Sequence, residues 1–338
     1  MEEEASNKLE QIPVINSLRG VAALMVCLYH FVYTTTGYFT NETVLFIFKY
    51  CLYGVQLFFV ISGIVIPLAM INSNYTYKRF FAFLLKRILR IEPPYLVALV
   101  LSIGYVFFRN YVQNKSQISI DISMQNILLH IGYLVPFVKS AVWINPVFWT
   151  LAIEFQYYLF LALLFPLVLH KIMWQRFVFY AIVFSFPFLN CTVPFFPFWG
   201  CLFLLGILYV LWQANYIRLL EYIVISIIAA IIVFVKIGIP DLVVAIITIA
   251  LVHFAKNKVE KIGLFFGKIS YSIYLVHCIV GSAFVNICSH KFTASYQKPF
   301  VVLGGLLVSI LCAYIMYFLV EKPSHNMSKK VGNFNNKL

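Results

Sequence analysis

Long apolar runs, separated by short charged or turn-forming stretches, recur along the chain from Val21 to Val320. Runs of about 20 such residues read as helices crossing a bilayer, because a spanning segment must satisfy its own backbone hydrogen bonds where water is absent. Splitting the runs at charges and at Pro or Gly predicts ten helices, over residues 13–34, 44–71, 88–108, 148–169, 176–190, 195–213, 218–236, 240–254, 266–289 and 299–320. The spans 176–190 and 240–254 are short and carry Pro187 and Pro240 at or near their edges, which leaves tilt, pairing or re-entry open for both. Residues 109–147 are long for a loop, and the IDISMQNILLHIGYL portion reads as a helix lying at the outer surface. No internal repeat is visible.

Composition supports this pattern. Of 338 residues, 62% are hydrophobic and 11% charged, too little polar surface to clothe a soluble globule. The expected fold is all-α, a polytopic transmembrane bundle of about ten spans. An even number of spans puts both termini on one side. Placing them in the cytoplasm assigns about 18 Lys and Arg to inner segments and about 7 to outer ones, the favoured sense of that asymmetry. Residues 1–12 are then a cytoplasmic tail, 13–320 one membrane domain, and 321–338 a basic cytoplasmic tail. The acidic start MEEEASNKLEQIP lacks a basic n-region and leads to no small-residue cleavage pattern, so the first helix is expected to stay attached. The net charge of +13 gathers at helix ends rather than in a patch interleaved with aromatics, which argues against nucleic acid as a partner. Seven cysteines are scattered singly, with no CxxC spacing and no zinc-ligand pattern, so neither a disulfide framework nor a metal site is expected.

Ionisable groups within spans are costly, and the few that occur are functional candidates. Arg19 and His30 lie eleven residues apart on the first helix, which places them about 20° apart around it and about 16 Å along it. A mid-membrane His30 suits a general base, and a structural histidine bonded to a neighbouring helix is equally open. Arg87 and Arg90 share one face of KRILRIEPPY, where guanidinium forks suit phosphate oxygens and ordinary positive-inside anchoring is the alternative. Glu154 sits inside the fourth span and needs a partner. It could orient His30, pair with an arginine or act as an acid. Ser270, Tyr274 and His277 form an i, i+4, i+7 stripe that fits chemistry or helix packing. Gln56, Ser62 and Gly63 suggest a closely packed second helix, and His130, His170, His253, His290 and His325 fall at predicted edges or loops. No P-loop, dinucleotide fingerprint or HExxH is present.

Taken in order, INSLRGVAALMVCLYHF, GVQLFFVISGIVI, KRILRIEPPYLV, VFWTLAIEFQYYLF, ISYSIYLVH and VEKP resemble acyltransferase family 3, from about residue 15 to 323. The resemblance implies about ten helices in the bacterial cytoplasmic membrane, cytoplasmic acetyl-CoA as acyl donor, and transfer to a hydroxyl of an envelope glycan or lipid-linked sugar, with O-antigen favoured. Arg19 and His30 match the family's first-helix pair, Arg87 and Arg90 its paired arginines, and Trp149, Thr150 and Glu154 its aromatic, hydroxyl and acidic positions. Ser270, Tyr271 and His277 match its late Ser-Tyr...His signature. His30 and Glu154 are thereby expected to be catalytic, and Arg19, Arg87 and Arg90 to hold the donor. Some larger relatives append a soluble esterase-like domain, for which the stretch after the last predicted helix leaves no room. A secondary transporter or flippase of lipid-linked glycan is the rival reading, since it too would combine many spans with few buried charges.

Overall fold

The computed structural model describes residues 12–35, 37–112, 120–170, 172–189, 192–258 and 260–331. Residues 1–11 of the predicted N-terminal tail, Cys191 and residues 332–338 lie outside them. The described residues are helical, with no strand. In chain order the helices are α1 Val14–Leu28, α2 Glu42–Lys49, α3 Gly54–Asn72, α4 Phe80–Val112, α5 Met124–Ile131, α6 Phe148–Val168, α7 Met173–Ser185, α8 Phe196–Gln213, α9 Leu219–Lys236, α10 Ile239–Phe254, α11 Lys261–Val276, α12 Ser282–Ser289, α13 Lys298–Met316 and α14 Lys322–Lys330.

Among the described residues, eight helical stretches are long and apolar enough to cross a membrane, and the chain is a multi-pass membrane protein. The other two predicted spans are helices of 13 and 16 residues, α7 and α10. These are the two segments whose length and prolines set them apart in the sequence. Two ends differ from expectation. Helix α4 starts at Phe80, eight residues before the predicted 88, so the helix takes in Lys86 and Arg87 together with Arg90. Lys and Arg are good helix formers, and their long side chains let a helix run through the interface. Likewise the last span does not end at 320: it continues through a π-helical turn, Tyr317–Glu321, into α14.

Two further π turns interrupt the bundle, Tyr29–Tyr33 at the end of α1 and His277–Gly281 between α11 and α12. Each adds a residue to a helical turn and re-aims the side chains beyond it, a feature concentrated at functional sites. His30, His277 and Glu321 all lie in these three turns.

Close backbone approach draws the helices together. Gly263 and Gly267 on α11 face Ser17 and Asn16 on α1, while Gly63 on α3 and Gly206 on α8 each face the other helix's backbone. A Cβ at any of these positions would overlap its neighbour. Small residues are how helices pack tightly in lipid, where no hydrophobic drive separates one apolar surface from another. Gln56 on α3 donates to the buried Asp241 on α10 at 2.9 Å, and Arg176 on α7 grips Glu221 on α9 through two bonds of 2.8 Å with Tyr180 adding a third contact. The predicted surface helix is α5. Its His130 is fully buried, contrary to the edge or loop role expected of it. Nδ1 donates to the Asn126 carbonyl at 2.8 Å and Nε2 accepts from the Ile144 N–H at 3.1 Å, tying α5 to the segment before α6. Burial lowers the affinity of this imidazole for a proton, with the Asn126 carbonyl acting in the opposite sense.

Gly206→Leu is expected to destabilise the bundle by about 1–3 kcal/mol or more through overpacking against α3. Gly104→Leu, where a side chain meets open space, serves as the control. Thermal unfolding in detergent followed by size-exclusion fluorescence separates the two, and equal midpoints would contradict the packing.

Candidate functional site

A cavity of about 100 Å³ opens among α1, α3, α4, α6, α11 and α14. Arg19, Arg87, Arg90, Glu154, Glu321 and His325 supply its charge, and Phe58, Phe59, Val65 and Leu151 its apolar wall. Helix α4 places Arg87 and Arg90 three residues apart on one face, as their spacing predicts. Arg87 is buried, stacked between the Phe83 and Tyr158 rings, and its Nε has no hydrogen-bond partner. Among the described residues, no carboxylate lies within ion-pair distance of Arg19, Arg87 or Arg90. Glu154 instead accepts from the Tyr158 hydroxyl and, at 3.4 Å, from Ser62, while Glu321 accepts from Ser272 at 2.6 Å. The cavity is therefore a low-dielectric space with guanidinium groups aimed into it and their charge unmatched by direct pairing. Such a space suits a phosphorylated anion.

His30 does not line this cavity. It borders a second one, of about 190 Å³, with Ser102, Tyr105, Arg109, Asn145 and Cys278. Both cavities touch α4, the first at Arg87, Arg90 and Ile91 and the second at Ser102, Tyr105, Val106 and Arg109. Twelve residues from Arg90 to Ser102 are about 18 Å of helix, so the two spaces lie toward opposite ends of the bundle. The imidazole is partly buried and edges Tyr29. The Thr34 hydroxyl donates to the His30 carbonyl at 2.8 Å, leaving its oxygen to accept weakly from Nδ1 at 3.4 Å. That arrangement keeps Nε2 free to take a proton.

His277 lies between the two spaces. Its ring is 5.2 Å from His30 and 5.9 Å from Tyr274, and the Tyr274 hydroxyl meets Thr150 at 2.7 Å on the wall of the arginine cavity. Asn145 braces this partition by donating to Ser102 at 3.2 Å. His30, His277 and Cys278 also bring their ligand-type atoms within 4.8 Å of one another, a grouping that sequence spacing did not reveal.

Several expectations change with this geometry. Glu154 does not orient His30: it lies in the arginine cavity on Tyr158 and Ser62, and Thr34, one helical turn from His30, is the group beside the imidazole. Ser270 bonds back to Gly267 of its own helix, and Trp149 packs against Trp199; neither lines either of these two cavities. Tyr271 does line the arginine cavity, its hydroxyl donating to the Ile91 carbonyl at 2.8 Å. Glu321 and His325 line it too, although sequence reasoning assigned both to a tail. The VEKP motif was the one signal that pointed toward them.

The model of acyltransferase family 3, described as an acyltransferase domain, matches residues 12–318. The chain belongs to acyltransferase family 3. The match covers every helix from α1 through α13 and so includes all the arginines of the first cavity, both histidines of the partition and Glu154. No curated protein and no solved structure matches the acyltransferase. The family makes it a membrane acyltransferase, and the transporter reading gives way to that.

Cysteines introduced singly at Arg90 and Tyr105 are expected to react with a membrane-impermeant maleimide from opposite faces of the bilayer, over the background of the native thiols. Labelling of both from the same face would contradict the two-ended arrangement.

Proposed function

We propose that this acyltransferase moves an acetyl group from cytoplasmic acetyl-CoA to a sugar hydroxyl of a bacterial envelope polysaccharide, O-antigen being the favoured acceptor, in the bacterial inner membrane. The observation that carries the reading is the pairing of two cavities: unpaired guanidinium groups in one, a free imidazole nitrogen in the other, and a thin polar partition between them. The donor's phosphates meet Arg19, Arg87 and Arg90, and its pantetheine arm runs along Phe58 and Val65 toward Tyr274 and Thr150. The sugar enters from the other end, beside His30, Tyr105 and Asn145.

His30 Nε2 takes the proton of the sugar hydroxyl as that oxygen attacks the thioester carbonyl. The tetrahedral intermediate then collapses, the C–S bond breaks, and the CoA thiolate recovers the proton from the imidazolium. Ester and free CoA thiol are the products. The closed Tyr274–Thr150 contact also favours a staged version. There an imidazole attacks the thioester first, CoA leaves as its thiol, and the acyl-imidazole passes the group to the sugar, so donor and acceptor never share one space. Glu154 holds Tyr158, whose ring stacks on Arg87, and so fixes the guanidinium that grips the donor.

Transfer from labelled acetyl-CoA to purified polysaccharide by the detergent-solubilised protein tests the reading. His30→Ala is expected to reduce turnover by about 10²- to 10⁴-fold, the usual worth of a positioned base, while the protein keeps its elution profile. Arg87→Ala and Arg90→Ala are expected chiefly to raise KM for acetyl-CoA, by roughly tenfold to a hundredfold each, as lost charge-assisted bonds do. Full turnover by His30→Ala would remove the central role given to it.

A further inference from the structure

Residues 322–330, beyond the last predicted span, form helix α14. Helix α14 continues the last span alongside α4, with Ser324 and Ser328 buried, and sets His325 on the wall of the arginine cavity. There His325 lies within electrostatic reach of four cations from three helices, Arg19 on α1, Lys86 and Arg90 on α4, and Lys329 on its own helix. Glu321, one helical turn before His325, accepts from Ser272 and acts on Arg19 and Arg90 through its field alone. None of the four cations, nor His325, has a carboxylate within ion-pair distance among the described residues. So much positive charge gathered at one edge of a cavity repels itself and is stable when an anion sits among it.

We propose that His325, Lys329 and Arg90 form a phosphomonoester subsite at the mouth of the donor cavity, and that it reads the 3′-phosphate of CoA. This rests on the donor reading given above. CoA is a long molecule with the thioester at one end and a ribose bearing a dianionic monoester at the other. If the thioester lies inward at Tyr274, the monoester is the last group to enter and stops at the rim, where α14 stands. The diphosphate, closer to the thioester, falls to Arg87 and Arg19. A phospholipid headgroup offers the same phosphate chemistry to the same cations, and the experiment separates the two sources.

Binding of CoA and of 3′-dephospho-CoA is measured by calorimetry on the full-length protein in nanodiscs of neutral phosphatidylcholine, with and without added phosphatidic acid. Wild type is expected to prefer CoA by about tenfold or more, the worth of a charge-assisted phosphate contact. His325→Ala and Lys329→Ala are expected to bring the ratio toward one, and His325→Arg to restore it. Equal binding of the two forms by wild type, or a preference that survives both alanine variants, would overturn the subsite. Loss of CoA binding on adding phosphatidic acid, with no preference between the two forms, would assign these cations to lipid and overturn it as well. Failure of wild type to bind either form would instead strike the donor reading itself, which makes the two failures distinguishable.

Discussion

Three guanidinium groups held inside a lipid-spanning bundle, with no carboxylate within ion-pair distance among the described residues, are the constraint around which this molecule is arranged. Taking an ion out of water costs several kcal/mol even after relaxation, and a chain can carry that cost only where packing, stacking or a ligand offsets it. Here Phe83 and Tyr158 sandwich Arg87, and Glu154 and Glu321 supply a field without forming the ion pairs that would neutralise the cavity. Direct pairing would have left a structural salt bridge of the kind Arg176 makes with Glu221. Among the described residues the cavity holds no such bridge, which leaves its charge open to an anion.

The opposite end obeys a different rule. The imidazoles of His30 and His277 lie close together, with no carboxylate within ion-pair distance among the described residues, and the hydrogen-bonded contact of Tyr274 with Thr150 divides this region from the arginines of the first cavity. On the proposed reading, this division keeps the charged donor apart from the neutral sugar hydroxyl. The π turns are the local device that makes it. By adding a residue to the helical turn they bring His30 and His277 into ring contact and set Glu321 against Ser272.

Much of this was legible in the sequence, for physical reasons. Lipid imposes length and apolarity on each span, so all ten predicted segments emerge as helices, and the two flagged as short are the short ones, α7 and α10. Charge inside a span is rare enough that Arg19, His30, Arg87, Arg90 and Glu154 stood out one by one. Their grouping was not legible. The helical rise already set His30 about 16 Å along the helix from Arg19, but a 3.6-residue period cannot register a π turn and gave no reason to expect His30 beside His277. Nor could it extend the last span into α14 beside the cavity, because KPSHNMSKK reads as a polar tail, although its Ser324 and Ser328 are buried and the helix packs on α4. His130 was misjudged for a similar reason: its partners are backbone groups of its own helix and of a segment that no side-chain pattern identifies.

The most direct measurement compares envelope polysaccharide from cells carrying the intact gene, a deletion and a His30→Ala copy, by mass and NMR. The account predicts an acetyl ester at one defined sugar position with the intact gene and its loss in the other two. An identical acetyl content in all three would contradict it.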